Sequence, residues 1–201
     1  METTLYYWPE IQGRGEFVRL ALEQAAAPYT DLGREDASTI EAFLDDAGIP
    51  TPPFAPPFLV SGPLVIAQTA NILLYLGQHY GLAPQDEAGG LWTHGLQLTI
   101  ADFVVEIHDT HHPIASCEYY EDQRAEAKRR TQDFLDNRAP KFLHYFERVL
   151  DRNPAGPDMG RARCADVCGL VAVPDRGRAA LRVSTPHAAL RARVAASGGT
   201  A

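Results

Sequence analysis

Four groups of residues in this chain have types and spacing suited to chemistry. Adjacent tyrosines, Tyr6 and Tyr7, close an aromatic and apolar stretch at 5–8, and Gly13 and Gly15 sit in the turn after it. A buried tyrosine seeks a partner for its hydroxyl, so a phenol at a strand end is a donor in search of an acceptor. Strand alternation sends one of the two tyrosines to the core face and the other to the opposite face. The second group is Gln68-Thr69, just ahead of a helical apolar stripe at Ile72, Leu73 and Leu76. At a helix start these residues offer an anion an amide, a hydroxyl and free backbone N–H groups; the plainer reading is a turn residue followed by an N-cap. The third group is the set of late cysteines, Cys117, Cys164 and Cys168. With no thiol at the end of the first strand and no C-x-x-C, disulfide-exchange chemistry is excluded, and three late cysteines make no disulfide framework. The fourth is His108, Asp109, His111 and His112. Histidines four apart share a helix face as metal ligands do, but Pro113 ends the segment and no cysteine or glutamate completes a set, so no metal is expected.

The elements that must position these groups follow from periodicity. At 201 residues and 22.0 kDa the chain can build one large domain or two small ones. Residues 5–8 read as a short buried strand bounded by Pro9, and Phe17, Val18, Ala21, Leu22 and Ala25 mark a helix over 14–26 closed by Pro28. A second strand is expected at 29–32 and a short helix at 38–44. A proline-rich loop at 50–57 leads into two strands, 58–60 and 64–67, across a Ser61-Gly62 turn, which is a hairpin pattern. A helix follows and ends near Gly81, giving the order β-α-β-α-β-β-α. The segment 82–90, with Pro84, Gly89 and Gly90, is the expected linker. From Leu91 the pattern is helical. One stripe runs through Leu96, Ile100, Phe103, Val104 and Ile107, another through Leu135, Phe142, Phe146 and Val149, and Pro140 should kink the second helix.

This order, and three local strings, resemble the glutathione S-transferase family in its tyrosine-type, bacterial-like form. LYYWPEIQGRGEFVRLALE at 5–23 looks like the family's first strand, active-site loop and first helix; APPFL at 55–59 resembles its proline-led third strand; VIAQTANILLYLG at 65–77 is similar to its Q-S/T-x-x-I-x-x-Y-L helix. The resemblance covers residues 4 to about 156. It implies an α/β plus all-α fold: a thioredoxin-like domain at 1–82, an incomplete helical-bundle domain at 91–156 and an atypical tail at 157–201. It further implies conjugation of glutathione to an electrophilic small molecule, with glutathione as co-substrate and no other cofactor. A thiol ionises near pH 8.5, so the site must stabilise its anion. Tyr7, followed by Trp8, matches the family's thiolate-stabilising tyrosine, and Tyr6 is the alternative. Gln68 and Thr69 match the residues that hold the γ-glutamyl carboxylate. Pro57 matches the proline whose cis bond opens the backbone to the ligand's cysteinyl amide, with a departure at Pro56, which has no N–H to donate. Asp102 matches an acid that reaches the γ-glutamyl ammonium across a homodimer interface. Arg14 reads as a surface cation at the helix start, or as a cation facing the ligand carboxylate, and Gly13 as the residue that allows the turn.

Charge divides the chain. Residues 1–158 carry −13 and residues 159–201 carry +5. All 18 aromatics precede residue 159, and the tail has no Lys, Glu, Gln, Asn or Ile, a composition that can hardly build a core. The family's bundle continues where this tail begins. Codons for residues 166–185, read one nucleotide later, are compatible with a family-like helix, so a frameshift is inferred. A truly divergent tail is the alternative, and a non-catalytic binding module or an inactive truncated product is the alternative function. Net charge of −8 argues against nucleic-acid partners, and no apolar run approaches the roughly 20 residues of a membrane span. The start carries no basic leader, and a cytoplasmic location is expected.

Overall fold

A computed structural model describes residues 2–153. The tail, with Cys164, Cys168 and the segment read as out of frame, lies outside the described residues. The chain forms two compact units that part between Ala101 and Asp102, within one continuous helix.

The first unit is built on β1 (Thr3–Tyr6), α1 (Gly13–Gln24), β2 (Thr30–Asp31), α2 (Leu32–Glu35), α3 (Ser38–Leu44), β3 (Phe58–Ser61), β4 (Leu64–Ala67) and α4 (Thr69–His79). A four-stranded sheet runs in the order β2-β1-β3-β4, with β1 parallel to β2 and antiparallel to β3, and β3 antiparallel to β4. One sheet face supplies Leu5, Leu59 and Ile66 to a core completed by Val18, Ala21 and Leu22 of α1 and Ile72, Leu73 and Leu76 of α4. The opposite face carries an aromatic cluster in which Tyr6 stacks on Phe58 at 4.5 Å between ring centres, with Phe43 of α3 5.1 Å from Tyr6. Strand alternation thus assigns Leu5 and Tyr7 to one face and Tyr6 to the other.

Several local expectations change. The first strand ends at Tyr6, so Tyr7 and Trp8 begin the loop. A four-residue helix, α2, follows β2 without any periodic signal to announce it. Just ahead of α3, Asp36 Oδ1 accepts from the Ser38 backbone N–H at 3.0 Å and hydroxyl at 2.7 Å. Those hydrogen bonds, the Ser38 hydroxyl's first, hold the Asp36 carboxyl below its usual pKa.

The helix α5 (Glu87–His108) starts inside the expected linker. Asp86 is the reason: its Oδ1 accepts from the Gly89 N–H at 2.9 Å and its carbonyl from the Gly90 N–H, so both glycines enter the helix under an N-cap. In the second unit a 3₁₀ turn (Tyr120–Gln123) leads into α6 (Arg124–Asp133), a π-helical turn (Phe134–Arg138) and α7 (Ala139–Asp151). Pro140 sits in the first turn of α7. Without an N–H it cannot close an α-type bond to the preceding turn, and the backbone widens to a π turn just before it.

Phe103 of α5 lies between Phe134 and Phe142, at 5.9 and 4.7 Å. Phe134 is buried where the periodicity had pointed to Leu135, and Ile107 is 41% exposed, so the expected α5 stripe ends before it. Glu106 joins α5 to the later helices. It accepts from Arg138 at 2.6 and 2.9 Å and from Arg130 at 3.3 Å.

Candidate functional site

Strand register brings three of the candidate residues to one end of the sheet. Tyr6 pairs with Phe58 and Phe58 with Ala67, so the next positions outward are Tyr7, Pro57 and Gln68 on three neighbouring chains. Adjacent strands lie about 4.8 Å apart, which sets these residues side by side although 50 and 11 residues separate them in the chain. Thr69, the first residue of α4, follows directly. The peptide bond between Pro56 and Pro57 is cis. Pro56 retains a carbonyl acceptor at this edge but has no N–H.

Tyr7 is 5% exposed and held on several sides. Its hydroxyl oxygen accepts a hydrogen bond from the Arg14 backbone N–H at 2.9 Å. The ring lies so close to the start of α1 that a Cβ on Gly13 would overlap the hydroxyl, and a Cβ on Gly15 would overlap Cδ1 and Cγ. Gly13 also has φ of +39°, where a side chain is strained in any case. Gly33 of α2 packs against the Tyr7 backbone in the same manner.

Against the ring lies Arg19, 3% exposed, with its guanidinium carbon 5.7 Å from the ring centre. Arg19 donates to Asp31 at 2.6 Å and to Glu16 at 3.3 Å. Burial opposes its charge, but the hydrogen bond and charge of Asp31, supported by Glu16, outweigh that and raise its pKa above the ordinary value. Tyr6 is placed differently: it belongs to the aromatic cluster on the other sheet face, and burial pushes its phenol pKa up. The Arg14 residue is exposed, and its peptide N–H is the group that reaches the Tyr7 hydroxyl.

At the start of α4, Gln68 has φ of +69° and ψ of 122°, a sparsely populated conformation for a residue with a side chain. Gln68 itself is the N-cap residue, and its side chain makes no capping bond. This corrects the expectation that Thr69 caps the helix: Thr69 is the first helical residue, and its Oγ1 is buried without a hydrogen-bond partner. A buried hydroxyl next to the free N–H groups of a first helical turn is an arrangement that an anion satisfies.

Asp102 lies on α5 in the second unit and is exposed. Of the histidine cluster, His108 ends α5 and its ring lies 5.1 Å from that of His112, while His111 Nδ1 is 3.0 Å from the Thr110 hydroxyl. Among the described residues no three His, Cys, Asp or Glu side chains converge as a metal site. Sequence reasoning did not find the Arg14 N–H, Gly15, Gly33 or Arg19 as parts of the site. The one available signal was a glycine in the first turn of a helix, which often marks close approach of another group.

Comparison with known proteins bears on this geometry. The family described as "Glutathione S-transferase, C-terminal domain" matches residues 108–158. A curated glutathione S-transferase of Plasmodium falciparum is 26% identical over 152 residues, which are 74% of this chain and 64% of that protein. The chain therefore spans less than two thirds of the length of that relative. Among solved structures, the prostaglandin synthase D of Nilaparvata lugens superposes with a TM-score of 0.62 at 20% identity, over 84% of this chain and 79% of that one. A monomeric glutathione S-transferase from the hookworm Necator americanus gives 0.59 at 18% identity, over 81% and 76%. At these identities the two likenesses establish the fold: a thioredoxin-like sheet with helices, followed by a helical region.

Proposed function

We propose that this chain is a glutathione S-transferase family member that binds glutathione at the sheet end formed by Tyr7, Pro57 and Gln68 and transfers it to an electrophilic small molecule. One observation carries the reading. The Tyr7 oxygen already accepts the Arg14 N–H, so its own proton is free to be donated, and a buried phenol donor is what a thiolate at neutral pH needs.

In the proposed reaction the glutathione thiol loses its proton to solvent, and Tyr7 donates a hydrogen bond to the resulting sulfur anion. The sulfur then attacks an electrophilic carbon. A C–S bond forms, and a leaving group departs with the electron pair or the adduct takes up a proton. Thr69 Oγ1 and the first-turn N–H groups of α4 receive the γ-glutamyl carboxylate, with the Gln68 amide beside them. The Pro56 carbonyl accepts from the cysteinyl N–H, and the reciprocal bond is lost because Pro56 has no donor. Trp8 and Ile11 expose apolar surface on the loop beside Tyr7, which suits an apolar electrophile. A homodimer in which Asp102 meets the γ-glutamyl ammonium belongs to the same proposal.

The test is Tyr7→Phe. A hydrogen bond to a charged group contributes about 1.5–3 kcal/mol, so kcat with an aryl halide should fall roughly 10- to 100-fold while glutathione binding by calorimetry changes little. Equal turnover in Tyr7→Phe and the parent chain would refute Tyr7 as the donor. Glutathione binding without turnover in the parent chain would point instead to a binding module.

A further inference from the structure

We propose that the peptide N–H of Arg14 is a positioning group for catalysis, aiming and polarising the Tyr7 hydroxyl toward the thiol sulfur. This inference rests on the transferase reading above and adds a backbone group to it. Arg14 is the second residue of α1, and the first four N–H groups of a helix have no carbonyl partner within it. This one is directed at the phenol oxygen, at 2.9 Å.

Two consequences follow from that bond. A phenol oxygen that accepts an N–H keeps one proton to give, and because the acceptor side faces α1, the proton is directed away from it. Hydrogen bonds in a chain also polarise one another, so a phenol that accepts from a peptide N–H at the positive end of a helix becomes a better donor to an anion. Gly13 and Gly15 make the bond possible, since a Cβ at either would push the ring off the helix start. The buried Arg19, one helical turn after Gly15 on the same helix, has its guanidinium carbon 5.7 Å from the ring centre, so α1 packs against the ring at both turns and limits its freedom to leave the Arg14 N–H.

The first experiment needs no ligand and uses the full chain. With no acceptor inside the helix, the Arg14 amide is protected from hydrogen exchange only through Tyr7. Exchange followed by NMR should be about tenfold or more faster in Tyr7→Phe than in the parent chain, and equal rates in the two would overturn the proposal.

The second experiment replaces the residue 14 amide by an ester, using the α-hydroxy analogue, and reads the pH dependence of kcat/KM for glutathione with an aryl halide. The midpoint should rise by about one pH unit, a roughly tenfold loss on the acidic limb. An equal shift in Arg14→Ala, which keeps the N–H, assigns the effect to the side chain and overturns the proposal. If Tyr7→Phe moves the midpoint and the ester does not, this inference fails and the transferase reading stands. If Tyr7→Phe leaves the midpoint in place, the reading on which the inference rests fails with it.

Discussion

Replacing Gly15 by alanine tests whether the Tyr7 ring lies where the structure places it, because the two effects of the change have opposite sign. Within a helix, Gly→Ala ordinarily stabilises by about 0.5–1 kcal/mol, since glycine loses more backbone freedom on folding. Here the new methyl group would occupy the space of Tyr7 Cδ1 and Cγ, and Tyr7 is buried, with the Arg19 guanidinium also against its ring. Forcing an extra carbon into a packed site costs about 1–3 kcal/mol. The second effect is the larger, so the substitution should destabilise by about 0.5–2 kcal/mol. At roughly 2–4 °C per kcal/mol for a chain of this size, Tm falls by about 1–8 °C.

A double-mutant cycle isolates the contact. In a Tyr7→Ala background the ring is gone, and Gly15→Ala should revert to its ordinary stabilising sign, giving a coupling of about 1–3 kcal/mol between the two positions. Urea unfolding of the four chains supplies the numbers. If Gly15→Ala stabilises the chain that retains Tyr7, the close approach of ring and helix is wrong, and the Arg14 to Tyr7 hydrogen bond that depends on it is wrong as well.

Two further predictions concern the second unit. Gln123 is 1% exposed; its Oε1 accepts from the Ile114 and Ala115 N–H groups, and its Nε2 donates to the Ala115 and Glu118 carbonyls. Gln123→Leu should cost about 3 kcal/mol, at roughly 1 kcal/mol per well-formed bond lost, and a urea midpoint change equivalent to less than 1 kcal/mol would show that the loop is held by other means. Glu106 has its pKa lowered chiefly by the Arg138 hydrogen bond; burial opposes this, and the Arg130 hydrogen bond and the charges of both arginines add to the lowering. Its folded pKa lies below the unfolded value of about 4.3, so its contribution is present above that pH and is lost as pH falls through the folded pKa. Glu106→Gln should therefore be less stable than the parent at pH 7, with the gap closing on acidification below about pH 4; a gap that stays constant from pH 7 to 3 would show that charge is not its source.

What was legible in the sequence is what short-range chemistry specifies. The β3–β4 hairpin and the helix at 38–44 announce themselves through a turn dipeptide and local spacing, and α4 through its apolar stripe. The helix α2 has four residues and no period to detect, and β2 has two. The α5 start was hidden because Gly89 and Gly90 outweigh, in any local reading, the one aspartate that caps them. The site was legible in its parts and not in its assembly. Tyr7, Pro57 and Gln68 each stand in a family-like string, but their shared edge is a consequence of strand register, which no string contains. The Tyr7 environment lies further still from local reading. Gly13 reads as a turn residue, and its overlap with the Tyr7 hydroxyl exists only once α1 lies across β1. Arg19 reads as one more helix charge until Asp31 at the end of β2 pairs with it beside the ring. A side chain acquires such neighbours from the fold, so residues that hold a catalytic group in place are the last to be visible in sequence, and the Arg14 N–H, a backbone atom common to every residue but proline, leaves no trace in it at all.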